Sequence, residues 1–86
     1  MIKAMKNNKN DFYKWKKKSS IQFCQSLSNT TLKIGDKVLF TNEFGLVFGP
    51  YEVLAFKQPD KYGRCVYLNK DSYWFPVTTD SLKVVE

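Results

Sequence analysis

From Leu32 onward, turn residues recur about every ten positions, and this punctuation constrains the fold more than any other feature of the chain. Gly35-Asp36, Asn42-Glu43-Phe44-Gly45, Gly49-Pro50, the loop 59–63, the turn 69–72 and the segment 78–81 all carry turn chemistry. The runs between them are too short for helices. Residues 37–41, 51–57, 64–68, 73–77 and 82–85 therefore read as five strands, with 46–48 a short extended piece. Alternation puts Tyr51, Val53 and Ala55 on one face of the longest strand, and Glu52, Leu54 and Phe56 on the other. Pro76 marks the 73–77 run as an edge or a strand end. Val38, Phe40, Val53, Val66, Leu68 and Leu82 are the expected core. Five short strands suit a small barrel, and a body of about 55 residues is too short for an immunoglobulin-type sandwich of about 100.

Charge divides the chain. Residues 1–18 hold seven lysines and one aspartate, a net +6, which is the net charge of the whole 86-residue protein. The remainder is neutral. This gives a basic N-terminal arm and linker, residues 1–31, and a β body, residues 32–86. Such asymmetry points to a polyanionic partner for the arm. The lead 1–10 is polar and is expected to be mobile. Asp11 can cap a helix starting at Phe12. Phe12, Trp15, Phe23 and Leu27 fall loosely on one helical face, with Ser19 interrupting it. Ile21, Phe23 and Leu27 fit strand alternation about as well. Residues 26–31 form a polar linker.

Several function classes are excluded by what the chain lacks. It has no histidine and two cysteines, Cys24 and Cys65, without Cys-x-x-Cys spacing, so no metal site is expected. The cysteines read as semi-buried thiols, or alternatively as one disulfide. No signal-peptide apolar run follows the basic start, and no stretch reaches the length of a membrane span, so a cytoplasmic protein is expected. No nucleophile sits beside a base on a rigid element, and no Gly-rich loop is built to cradle phosphate. The chain reads as a non-enzymatic binding module without a cofactor.

The order of β signals resembles the SH3-like barrels, especially the KOW and Tudor-type modules. Gly35-Asp36-Lys37-Val38 matches their Gly-Asp-x-Val opening. Gly45 and Gly49 match a Gly-containing loop, Tyr51-Glu52-Val53 a Tyr-x-Val strand, and Leu82-Lys83-Val84 the Leu-x-Val final strand. The resemblance covers residues 32–86 and implies a five-stranded SH3-like small barrel; the basic arm before it can hold one helix. The block from Phe48-Gly49-Pro50-Tyr51 through Tyr73-Trp74-Phe75-Pro76 also looks like small uncharacterised bacterial or phage proteins. The loop 42–48 departs from the KOW pattern, because it carries Glu43 and no basic residue.

Two constellations carry chemistry. Lys14, Trp15, Lys16, Lys17 and Lys18 put four lysines in five residues, just after Phe12 and Tyr13. Lysines neutralise phosphates and rings stack on unpaired bases, so nucleic acid is the leading partner, bound with little sequence preference. The alternatives are a solvated tail whose rings pack on the barrel, or an acidic protein or membrane surface. The second constellation is aromatic. Ten rings lie in the body, more than so small a barrel can enclose. Phe44, Phe48, Tyr73 and Trp74 are the expected contact surface, suited to a protein partner or a homodimer.

Overall fold

A computed structural model describes residues 8–28 and 30–85. One helix, α1 (Lys9–Lys18), precedes six strands: β1 (Phe23–Cys24), β2 (Lys37–Thr41), β3 (Val47–Lys57), β4 (Arg64–Leu68), β5 (Val77–Thr78) and β6 (Leu82–Val84). A 3-10 turn, Thr79–Ser81, joins the last two strands. All pairings are antiparallel, in the order β5-β4-β3-β2-β6, with β1 added to β3. The path ends at β5 and β6, so the sheet is open.

The long strand β3 organises the rest. Its first half pairs with β2 and its second half with β1 and β4. Gly49 lies at a register shift in the β2–β3 ladder, with φ of +118°. A Cβ at this position would lie 2.9 Å from the Val38 carbonyl oxygen, so close approach of the two backbones requires glycine. The expected break at Gly49-Pro50 is therefore a bulge inside one strand.

A second register shift, between Val53 and Ala55, changes the expected alternation. Val53 and Phe56 join one core cluster with Val38, Val66 and Leu68, whereas Leu54 and Ala55 join another with Phe12 and Tyr67. An irregular residue in the ladder moves later side chains to the other face. Ala55 thus lies away from Val53 rather than beside it. The expected core positions Val38, Val53, Val66 and Leu68 are buried, and Phe40 and Leu82 pack against them half-buried.

Helix α1 begins one turn earlier than the sequence suggests. Asn8 is buried, its backbone N–H donates to Asn69 Oδ1 at 2.8 Å, and its carbonyl accepts the Phe12 N–H at 2.9 Å. That long-range anchor sets Asn8 as the N-cap and leaves Asp11 in the first turn, where its charge complements the helix dipole. Asn8, Lys9 and Asn10, expected within the mobile lead, instead start the helix; residues 1–7 lie outside the described residues. The helix stops at Ser19, whose extended backbone ends the apolar stripe. Phe23 is consequently in a strand, opposite Lys57.

The 73–77 run is not a strand. Asp71–Trp74 form a turn and pairing begins only at Val77, immediately after Pro76, which has no N–H to give a ladder.

The Tyr67 hydroxyl is buried and has no hydrogen-bond partner among the described residues. An unpaired buried hydroxyl costs about 1–3 kcal/mol in desolvation. Tyr67→Phe is expected to raise stability by about 1 kcal/mol, read as a higher urea midpoint at constant slope. A lower midpoint would show that the hydroxyl has a partner.

Candidate nucleic-acid interface

Helix α1 presents two unlike faces. Phe12 is fully buried and packs with Leu54, Ala55 and Tyr67. Trp15, one turn later, is half-buried among the rings of Phe12, Phe23, Tyr67 and Tyr73, at centroid distances of 5.7, 5.9, 5.7 and 6.5 Å. Lys14, Lys17 and Lys18 are exposed. Lys16 is half-buried, with its Nζ 5.1 Å from the Phe23 ring centroid. The sequence-derived group thus divides: Lys14, Lys17 and Lys18 face outward, and Lys16 and Trp15 pack against the body. Phe12 and Trp15 pack on the sheet, whereas Tyr13 stays exposed.

Two other lysines near the helix pair with one carboxylate. Lys9 Nζ lies 2.8 Å from Glu52, and Lys37 reaches the same carboxylate at 3.7 Å. The hydrogen bond to Glu52 holds the Lys9 ammonium above its ordinary pKa. Lys9 therefore braces α1 against β3, while the cationic surface is carried by the three lysines further along the helix.

The four aromatic contact candidates fall in two places. Phe44 and Phe48 belong to the tip joining β2 and β3. Phe44 is 80% exposed, and Phe48 stacks on Phe40 at 6.5 Å. Tyr73 and Trp74 belong to the turn beside α1. Tyr73 is half-buried against Phe12 and Trp15, and Trp74 is exposed, edge-on to Tyr73 at 5.0 Å. Trp74 is thus an accessible ring that meets Tyr73, which in turn packs on the helix.

Between these places runs an open groove of about 470 Å³ whose walls include Phe40, Glu43, Arg64 and Phe75. Sequence reading did not single out Arg64 as a site residue, although it is the only arginine in the chain. Its guanidinium lies over both the Tyr62 and Phe75 rings. The Asp60 carboxylate accepts the backbone N–H groups of Tyr62 and Arg64 at 2.8 and 3.0 Å. The bond from Arg64 foremost holds the Asp60 carboxyl below its ordinary pKa.

The remaining chemistry is quiet. Cys24 and Cys65 are free thiols, and burial pushes the Cys65 thiol up, which makes its thiolate scarcer. Among the described residues no group of three or more acidic, cysteine or histidine side chains is placed to hold a metal, and no helix is long and apolar enough to cross a membrane. Comparison with protein-family models, curated proteins and solved structures finds no match.

Proposed function

We propose that this protein is a small non-enzymatic nucleic-acid-binding module, and that the lysine face of α1 makes the phosphate contacts. The observation that carries this reading is the division of α1. Phe12 and Trp15 fasten the helix to the sheet, and Lys14, Lys17 and Lys18 are displayed together on what remains. A docked helix presents these cations without the ordering cost of a free tail. Lysines contact phosphate as point charges, so binding carries little sequence preference. The fold belongs to the same reading. An SH3-like small barrel is supported by the strand order and by the 3-10 turn before β6.

Salt titration tests the proposal. With about three or four lysines engaged, the logarithm of duplex affinity is expected to fall with the logarithm of salt at a slope of roughly −3 to −4. A salt-independent affinity rejects phosphate contacts.

A second reading rests on the β2–β3 tip, where Phe44, Leu46, Val47 and Phe48 are successively exposed with little polar cover. Such a tip suits a protein partner or a second copy of the chain. Concentration-dependent self-association in sedimentation, abolished by Phe44→Ser, is its expected signature; a monomer at all concentrations removes the homodimer.

A further inference from the structure

Arg64 links two exposed rings that lie far apart in the sequence. Its guanidinium carbon is 4.8 Å from the Tyr62 ring centroid and 5.0 Å from that of Phe75. Lys61 Nζ lies 5.1 Å from the Tyr62 centroid, and Lys70 Nζ 6.0 Å from that of Phe75. The result is a ladder in which cations and rings alternate. Tyr62 and Phe75 remain 61% and 47% exposed within it.

The ladder is held by backbone structure at both ends. Asp60 fixes Tyr62 and Arg64 through their N–H groups, and the Phe75 N–H donates to the Ser72 carbonyl at 3.0 Å. Lys70 donates to the Ser72 carbonyl and hydroxyl, at 3.1 and 2.7 Å, so it supports the Phe75 turn. Trp74 precedes Phe75 in the chain and meets Tyr73, which in turn meets Trp15 of α1. Exposed rings therefore lie in both turns that carry the ladder, Trp74 and Phe75 in one and Tyr62 in the other.

A single-stranded nucleic acid offers the complementary pattern, phosphates alternating with unpaired base faces. An acidic peptide would satisfy the cations and make no use of the exposed ring surface of Tyr62, Trp74 and Phe75. A duplex keeps its base faces stacked and inaccessible. Glu43 shares the groove lining with Arg64 and disfavours phosphate inside the groove; Lys61 lies outside that lining. We infer that Trp74, Phe75, Arg64 and Tyr62 form a stacking platform for the unpaired bases of a single-stranded nucleic acid that also contacts the lysines of α1. This inference rests on the nucleic-acid reading above and adds to it a preference for single strands.

The test uses the full-length protein in anisotropy titrations against a labelled oligothymidylate and a duplex of equal length. Tyr62→Ala and Trp74→Ala are each expected to weaken single-strand binding roughly tenfold, with duplex affinity and its salt slope unchanged. Tyr62→Phe keeps the ring and is expected to bind as the intact protein does. Thermal unfolding of each variant separates lost stacking from lost folding, and Tyr62, in an exposed turn, is the variant least able to disturb the core. If the ring variants bind oligothymidylate normally, or lose both ligands equally, the platform is rejected while the lysine-helix reading stands. If the intact protein binds neither ligand at any salt concentration, both are rejected.

Discussion

Phe12→Ala is expected to destabilise the protein by about 3–5 kcal/mol, the range for removing a large buried ring from a packed core. Phe12 has no exposed surface, and its ring lies within 6.4 Å, centroid to centroid, of Tyr13, Trp15, Phe23, Tyr67 and Tyr73. None of these neighbours is placed to refill the space without leaving its own packing. The loss compares with the lower end of the stability expected for a domain this small, roughly 0.05–0.15 kcal/mol per residue. Phe12→Leu, which keeps most of the volume, is expected to cost much less. Urea unfolding monitored by Trp15 and Trp74 fluorescence reads both. A Phe12→Ala loss below about 1 kcal/mol, the level of an ordinary substitution, would mean that α1 is not anchored by this ring.

The same packing determines how the arm can be studied. Removing residues 1–18 would strip Phe12 and Trp15 from Tyr67, Leu54 and Ala55, and would confuse lost binding with lost folding. Exposed lysines avoid that problem. They can be neutralised singly or together while the buried face of α1 is retained.

Much of the β body was legible in the sequence because its signals are local. Gly45 and Gly63 take positive φ in turns, and Asp60 closes its own loop through the N–H groups that follow it. Such chemistry acts within four residues. Features set by distant partners were not legible. The start of α1 depends on Asn69, which lies 61 residues from Asn8. Strand β1 is two residues long and exists through its pairing with β3. The side exchange at Leu54 and Ala55 follows from a register shift that alternation alone does not show.

The candidate site divides along the same line. The lysine cluster is contiguous, so composition found it; the burial of Trp15 depends on rings from β1, β4 and the 71–74 turn. The Tyr62–Arg64–Phe75 ladder joins two loops, and its one available sequence signal was the solitary arginine in a chain of 13 lysines. A single arginine among exposed aromatic residues merits the same scrutiny as a lysine run, since its planar guanidinium stacks on rings where an ammonium does not.

The most direct measurement of the central claim is the salt dependence of duplex affinity for Lys14→Gln/Lys17→Gln/Lys18→Gln beside the intact protein. All three lysines are exposed, so the urea midpoint is expected to stay unchanged. Each lost phosphate contact removes about one from the magnitude of the log–log slope, so the triple variant is expected to lose about two to three. Affinity at low salt is expected to fall by tenfold or more, roughly 1.4 kcal/mol. A folded triple variant with the slope and affinity of the intact protein would contradict the account and move the phosphate contacts off α1.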